Sequence, residues 1–229
     1  MTDHTPPASD LEHITTTTLA HYSARAAAFW EGTRGHDVSQ NIAALLRHVQ
    51  GSAPFTLLDV GCGPGRDLKT FSDRGHVAIG LDGAEKFTDM ARAHSGCEVW
   101  LQNLLGLNLP DQHFDGVFAN AVLFHVPTAE LPRVLRELRA TLKTGGVLFV
   151  SNPRGEGQEG WNGGRFGAYH DLPSWRGFMH ARALMSLNTT IAPQACRASS
   201  SPGWPACGAG VNQKLTFELG LISTRGISP

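Results

Sequence analysis

The chain has 229 residues, of which 41% are hydrophobic and 17% charged, and its formal net charge at pH 7 is −1. A near-neutral chain offers no strong field to an anionic partner, so we expect neither nucleic acid nor a membrane surface as its substrate. Four cysteines, Cys62, Cys97, Cys196 and Cys207, are scattered without C-x-x-C spacing. This usage predicts reduced thiols in a cytoplasmic protein, with no disulfide framework and no metal site.

The N-terminal part of the chain predicts a mobile segment followed by two helices. Residues 1–17 are polar, rich in Thr, Pro and His, and lack the apolar stretch of a signal peptide. Apolar residues then recur at helical spacing over 19–30 and over 38–49. No apolar run approaches the length of a membrane span. We therefore expect a single domain over 18–188, after a mobile N-terminus.

The central part of the chain alternates between apolar runs and helical patterns. Strands are predicted at about 55–60, 77–81, 98–101, 114–119 and 147–151, and helices at 66–72, 84–93 and 131–142. Near-continuous apolar strands that alternate with helices are typical of a parallel sheet covered on both faces. The sequence thus predicts an α/β, doubly wound, mostly parallel Rossmann-like sheet.

The pattern changes after Ser151. Residues 153–171 are glycine-rich with large polar and aromatic side chains, and predict a long loop. A helix is predicted to begin near Asp171 and to run to about Leu187, because Asp171 can cap it. Residues 189–229 predict an irregular C-terminal tail, in which only 214–222 has a strand-like pattern.

A glycine-rich turn follows the first predicted strand, with the sequence Asp59-Val60-Gly61-Cys62-Gly63-Pro64-Gly65. Asp82 closes the second strand 17 residues after Gly65. A glycine turn followed by a strand-end carboxylate is the layout of a site for a ribose-bearing cofactor. Arg66 occupies the place of the third glycine of the dinucleotide fingerprint, and no G-K-S/T follows, so neither a dinucleotide turn nor a P-loop is expected.

The turn resembles motif I of the class I S-adenosylmethionine (SAM) dependent methyltransferases, and further motifs follow in order over 53–153. This resemblance implies SAM as the cofactor, a SAM-binding core over 53–153, and methyl transfer to a small-molecule acceptor. It also implies that sixth and seventh antiparallel strands complete the sheet. Because the sequence shows no two convincing strands there, we expect these strands to be missing or altered.

The resemblance also implies roles for individual residues of the cofactor pocket. Asp59 with Gly61, Cys62, Gly63 and Gly65 would hold the methionine part of SAM. Asp82, with Gly83, would accept hydrogen bonds from the ribose hydroxyls, although Asp82 could equally cap the following helix. Asn103 stands where the family commonly has Asp, so its contact with adenine would be weaker by about 1 kcal/mol. Leu104 would pack on the adenine ring, and the backbone of Asn120 would receive the SAM amino group.

The acceptor side of the pocket is implied less directly. His125, just after the fourth strand, is a candidate general base, or alternatively a residue that only packs there. Tyr22, on a helix that would cover the cofactor, could meet the methionine carboxylate. The candidates for substrate contacts are Trp30, Arg154, Trp161, Arg165 and Tyr169. Arginines and aromatic rings suit a small anionic or planar acceptor.

Two alternatives remain from the sequence. The chain could bind SAM with reduced or no catalysis, which Asn103 and the altered C-terminus would explain. It could also be an NAD(P)-binding oxidoreductase of similar fold, although Arg66 argues against this. The sequence carries no signal for an oligomeric state.

Overall fold

The computed structural model describes residues 7–180, 185–193 and 216–223. Its helices are α1 Ala8–Ala24, α2 Ala26–Thr33, α3 Ser39–His48, α4 Arg66–Asp73, α5 Glu85–Ser95, α6 Leu131–Ala140 and α7 Leu172–His180, with a short 3-10 helix at Leu123–His125. Its strands are β1 Thr56–Val60, β2 Val77–Asp82, β3 Glu98–Leu101, β4 Phe114–Asn120, β5 Leu142–Pro153, β6 Gln158–Asn162, β7 Arg165–Tyr169, β8 Met185–Pro193 and β9 Thr216–Ser223. Among the described residues, no helix is both long and apolar enough to cross a bilayer.

Seven of the described strands form one sheet in the order β3-β2-β1-β4-β5-β9-β8. Strands β1 to β5 pair parallel with one another, which confirms the doubly wound α/β fold. The strand order reverses between β1 and β4, so the carboxyl ends of these two strands lie side by side. In open α/β sheets this switch point is where ligands bind.

The last two strands, expected to be missing or altered, are present. β9 pairs antiparallel with β5 along Val147–Pro153, and β8 pairs antiparallel with β9. The pattern of 214–222 indicates β9, whereas 185–193 contains Ser, Asn and Thr and carries no strand pattern. Pairing with β9 stabilises β8 despite this polar composition, because backbone hydrogen bonds do not depend on side-chain hydropathy. The predicted tail over 189–229 therefore contains β9 and the second part of β8, and the helix predicted to reach Leu187 ends as α7 at His180.

Two further segments differ from the sequence prediction. Residues 8–17 are helical, as the first half of α1, whereas a mobile terminus was predicted. The segment predicted as a long loop contains the β6–β7 hairpin, whose register pairs Trp161 with Phe166. Gly163 and Gly164 form its two-residue turn with φ angles of 59° and 90°, which only glycine adopts readily at both positions.

The core lies on both faces of the sheet, as alternation along the strands requires. Leu58 and Val60 of β1 face α6, while Leu57 faces α3 and α4. A smaller cluster joins α1 and α2 to α5 through Ala26, Ala84 and Phe87, with Leu19, Tyr22, Phe29 and Met90 packed against them. The N-terminal helices are thereby held over the start of α5, next to the carboxyl ends of β1 and β2.

Candidate functional site

The glycine turn lies at the switch point, between β1 and α4. Gly61, Gly63 and Gly65 have φ angles of 67°, 53° and 89°, which disfavour other residues. A Cβ atom on Gly61 would collide with Val122, and one on Gly65 would lie 2.8 Å from Ala91 Cα. A Cβ on Gly63 would meet only the Phe29 ring, at 3.6 Å. The outer two glycines are thus required by packing, whereas the middle one leaves space beside the backbone.

Asp82 ties this turn to the end of β2. Its Oδ2 accepts a hydrogen bond from the Gly63 N–H at 3.0 Å, and its Oδ1 accepts one from the Ala84 N–H at 2.8 Å. Burial raises the pKa of the Asp82 carboxyl to about 6, against the opposing effect of these backbone donors. Asp82 is not the N-cap of α5, since Ala84 holds that position without a side-chain cap, and the Asp82 carboxylate instead makes a tight turn just before the helix. The Gly83 N–H is a third backbone partner of this carboxylate, so acceptor capacity for a ligand remains on the two oxygens together rather than on each of them.

Asp59 is a second buried carboxylate at this edge of the sheet. Its Oδ2 has no hydrogen-bond partner within the described part of the chain. Burial, and then the neighbouring Asp67 carboxylate, raise the pKa of Asp59 well above its usual value, against a smaller lowering by the Arg66 charge. A buried acceptor without a donor is costly to the fold, so a ligand that donates a hydrogen bond here is favoured.

Asn120 belongs to a polar network that the sequence analysis did not predict. The Arg66 guanidinium forms a fork with Asp67, at 2.7 and 2.9 Å, and donates to the Thr33 carbonyl. The Asn120 amide donates to Asp67 at 3.2 Å and accepts hydrogen bonds from Asn41 at 3.1 Å and Ser151 at 2.6 Å. The side chain of Asn120 therefore joins α3, α4, β4 and β5.

Tyr22 and His125 are brought together, although they are 103 positions apart in the sequence. The Tyr22 hydroxyl lies 2.8 Å from His125 Nε2, and His125 Nδ1 lies 2.6 Å from the Phe166 carbonyl oxygen. Since a carbonyl only accepts, Nδ1 carries the proton and Nε2 accepts from Tyr22. The Phe166 N–H in turn donates to the Thr18 hydroxyl at 3.0 Å. These three bonds connect α1, the 3-10 helix and β7.

Burial sets the protonation of this pair. It lowers the pKa of His125 to about 4, with a smaller lowering from Arg165, and it raises the pKa of Tyr22 to about 12. Both groups are therefore neutral at pH 7, and the hydrogen bond between them is preserved.

An aromatic cluster covers the cofactor edge of the site. The Phe29 and Phe87 rings are 5.0 Å apart, and Tyr22 lies 5.8 Å from each of them. Leu19 of α1 lies so close to Gly83 that a Cβ there would be 2.8 Å from Leu19 Cδ2. The helices α1 and α2 thus form a cover, called here the N-terminal cover, over the glycine turn and Asp82.

Three other predicted cofactor residues lie at the same edge but have structural partners. The Asn103 amide oxygen accepts the Leu105 N–H at 2.9 Å, which makes a local turn. Leu104 is partly buried against the hydrophobic core. The Cys62 side chain is buried in the core on the other face, so only its backbone lines the turn. Burial raises the pKa of the Cys62 thiol well above its usual value.

The predicted substrate residues are divided by the structure. The Arg165 guanidinium lies 5.7 Å from the Tyr22 ring centroid, and the Tyr169 ring lies 5.7 Å from Phe124, so both are near the Tyr22–His125 pair. Trp161 is 48% exposed and packs against His13 and Phe166. Trp30 packs against His94, in the last turn of α5. Arg154 is exposed, and its positive charge favours the ionised form of Asp171, which directly precedes α7.

The comparisons with known proteins agree with this geometry. Residues 58–150 match the family described as Methyltransferase domain. A ubiquinone biosynthesis O-methyltransferase of Idiomarina loihiensis is 29% identical over 154 residues, 62% of this chain and 63% of that protein. A malonyl-acyl-carrier-protein O-methyltransferase of Erwinia pyrifoliae is 31% identical over 143 residues, 59% and 54% of the two chains. These matches span between half and two thirds of each relative.

A solved structure gives the same fold over nearly the whole chain. The 1,6-didemethyltoxoflavin-N1-methyltransferase of Burkholderia thailandensis superposes with a TM-score of 0.72 at 17% identity, and the superposition covers 96% of this chain and 92% of that one. Together with the matched segment 58–150, this likeness covers the parallel strands and the glycine turn. The chain is therefore similar to methyltransferases over 58–150 in sequence, and it shares the fold of a solved methyltransferase.

Proposed function

We propose that this protein binds SAM at the glycine turn and transfers its methyl group to a small-molecule acceptor. The observation that carries the proposal is the tie between Asp82 and Gly63, which places a strand-end carboxylate directly against a turn with space beside its backbone. The unpartnered Asp59 Oδ2 supports it, because the amino group of a methionine moiety is a suitable donor. The residues present therefore fit the cofactor.

Each group has a stated part in binding. Asp82 accepts the ribose hydroxyls with the acceptor capacity that the Gly63, Gly83 and Ala84 N–H groups leave. Asp59 and the backbone of Asn120 hold the methionine end, and Leu104 lies beside adenine. Asn103 contributes weakly, because its amide oxygen already accepts the Leu105 N–H.

The bound cofactor supplies a methyl group that is already activated by the positive sulfonium. The protein therefore has to exclude water, orient the acceptor and, for some acceptors, move a proton. The aromatic rings of the N-terminal cover exclude water from the turn. Both ring nitrogens of His125 are engaged, which favours a role in holding Tyr22 and the cover in place over a role as general base.

The two alternatives have less support. A non-catalytic SAM-binding protein was motivated partly by missing strands, but β8 and β9 complete the sheet. An NAD(P) oxidoreductase would need close packing after the glycine turn, where the Arg66 guanidinium instead forms its fork with Asp67. A cytoplasmic location stays a prediction from the spacing of the cysteines.

Calorimetric titration with SAM and with S-adenosylhomocysteine, followed by a labelled methyl-transfer assay on a metabolite panel, tests the proposal. We expect both ligands to bind and one class of acceptor to be methylated. Binding with no turnover on any acceptor would support the non-catalytic alternative. Binding of NAD(P)H without binding of SAM would contradict the proposed cofactor site.

A further inference from the structure

A basic cluster, formed by His21, Arg25 and Arg165, lies where α1 meets the β6–β7 hairpin. Arg25 Nη1 is 3.2 Å from His21 Nδ1. The turn of the hairpin reaches the same histidine, since a Cβ on Gly164 would lie 3.0 Å from His21 Nδ1. Arg165 follows directly and lies over the Tyr22 ring. The cluster thus joins two elements that are far apart in the sequence.

The charges around this cluster are mainly positive. After burial, Arg25 and then Arg165 lower the pKa of His21, and Arg165 also lowers the pKa of His125. Among the described residues, the carboxylate whose charge affects the ionisation of Tyr22 is Asp82, at the cofactor edge of the site. Because an arginine only donates, His21 Nδ1 accepts from Arg25 and the second ring nitrogen is left as a donor. The cluster therefore presents several donors and positive charge.

Tyr22 connects the cluster to the cofactor edge. One side of its ring meets Phe29 and Phe87, which cover the glycine turn, while Arg165 lies over the ring and His125 bonds its hydroxyl. Tyr169 and Phe124, with rings 5.7 Å apart, add aromatic surface beside His125. A molecule held by the basic cluster would thus lie next to aromatic rings, beside Tyr22, whose pKa the Asp82 charge affects.

We infer that the methyl acceptor is a small carboxylate with a planar body, whose carboxylate binds Arg165 and His21, with Arg25 at the entrance. A guanidinium presents two parallel N–H groups that match a carboxylate, and desolvation by the surrounding rings strengthens such a bond. The planar body lies against Tyr22 and Tyr169. This inference rests on the proposed function and names its substrate class.

The structure changes which residues supply the positive charge. The sequence grouped Arg165 with Arg154, but Arg154 lies on the surface beside Asp171. His21 and Arg25 take its place because α1 packs against β7 through the Thr18–Phe166 bond. His21 and Arg25 belong to the N-terminal cover, so the acceptor and the cofactor would both lie against this cover.

The test is a calorimetric titration of benzoate, citrate and phenyl phosphate into protein saturated with S-adenosylhomocysteine. The variants are Arg165→Gln, Arg165→Lys and Arg25→Gln, and the matched control is Arg136→Gln, at an exposed arginine of α6. The affinity for S-adenosylhomocysteine is measured first in every variant. Arg165→Lys keeps the charge but loses the fork, so it remains informative where Arg165→Gln folds poorly.

We expect benzoate or citrate to bind more tightly than phenyl phosphate, and more weakly as salt concentration rises. Arg165→Gln should weaken carboxylate binding about tenfold to a hundredfold, the range for one lost charged hydrogen-bonding group. Arg165→Lys should fall between it and the wild type, Arg25→Gln should lose a few fold, and Arg136→Gln should equal the wild type.

The inference is overturned if neither carboxylate binds at millimolar concentration, if Arg165→Gln binds it as well as the wild type does, or if phenyl phosphate alone binds. In these cases intact binding of S-adenosylhomocysteine leaves the proposed function standing. Failure of the wild type to bind S-adenosylhomocysteine overturns the proposed function and this inference with it. The order of the two titrations therefore separates the two failures.

Discussion

Replacement of Asp82 by alanine is the sharpest test of the proposed cofactor site. In the structure the Asp82 carboxylate is buried and accepts the N–H groups of Gly63 and Ala84. Asp82→Ala would remove the acceptor of both ribose hydroxyls. A lost charged hydrogen-bond pair costs about 1–3 kcal/mol, so we expect SAM affinity to fall about fivefold to 150-fold.

The pKa of Asp82 adds a second, independent signature. Burial raises this pKa to about 6, so below pH 6 the free protein must lose a proton before the ionised carboxylate can accept the ribose hydroxyls. The wild type should therefore lose about tenfold in affinity between pH 7 and pH 5, since each pH unit below the pKa costs roughly 1.4 kcal/mol. The amino group of the ligand stays charged in this range.

The assay is calorimetric titration with SAM at several pH values between 5 and 7. Asp82→Ala should not show the tenfold change in SAM affinity between pH 7 and pH 5. The Asp59→Asn variant then tests whether Asp59 causes any pH dependence that remains. The control is Asp115→Ala, because Asp115 also accepts a backbone N–H, from Thr56, but lies at the start of β4, away from the glycine turn. Asp115→Ala should retain the affinity and the pH dependence of the wild type.

Thermal unfolding of each variant checks that the fold is kept, because both substitutions remove an acceptor from backbone N–H groups. A folded Asp82→Ala protein with wild-type affinity, or with an unchanged dependence on pH, would refute the placement of the ribose at Asp82. The reasoning would also fail if Asp115→Ala weakened SAM binding as much.

Four further predictions concern the turn, the cover and the network. Gly65→Ala should lower the free energy of unfolding by about 1–3 kcal/mol, because the φ of this residue is 89° and the new Cβ would lie 2.8 Å from Ala91 Cα. Gly63→Ala should lower the free energy of unfolding by only about 1 kcal/mol but should weaken SAM binding. Chemical denaturation measures the first effect and calorimetric titration the second. His125 should titrate near pH 4 by NMR, whereas titration near 6.5 would contradict its burial with Tyr22. His125→Gln should be less stable than the wild type at pH 7. This difference in the free energy of unfolding should shrink by at most about 3 kcal/mol as pH falls from 6.5 to 4, because the histidine binds a proton more tightly in the unfolded chain. Denaturation curves that give the same difference at every pH would argue against this. Asn120→Ala should lower the free energy of unfolding by about 1–3 kcal/mol, since Asp67, Asn41 and Ser151 each lose a partner; a loss within about 0.5 kcal/mol would show that the network adds little.

The parallel half of the fold follows from local patterns in the sequence. Each predicted strand between 55 and 119 agrees with an observed strand to within one residue at either end, because near-continuous apolar runs there are bounded by turn residues. The β6–β7 hairpin was missed, although Gly163-Gly164 between two short runs is a hairpin signal. The abundance of glycine and polar residues in that segment obscured its alternation.

The candidate site likewise contains residues that a local sequence pattern predicts and residues that it does not. Asp82 and the glycine turn are close in sequence, so their spacing was enough to predict that they meet. The side-chain partners of Asn120 lie 31, 53 and 79 residues away in the sequence, and no local pattern indicates them. His21 and Arg25 likewise meet Arg165 only because α1 packs on the hairpin. Side chains that act across elements could be assigned only once the packing of the cover was known.

The position of β9 has a consequence for how the chain is made. This strand is the last in sequence among the described strands, yet it lies inside the sheet, between β5 and β8. During synthesis, the edge of β5 therefore has no permanent neighbour until residues 216–223 have left the ribosome. An open strand edge pairs readily with other chains, so a nascent or truncated form that stops before β9 should be prone to aggregation. Strand β9 thus covers an edge of β5 that is otherwise open, as well as joining β8 to the sheet.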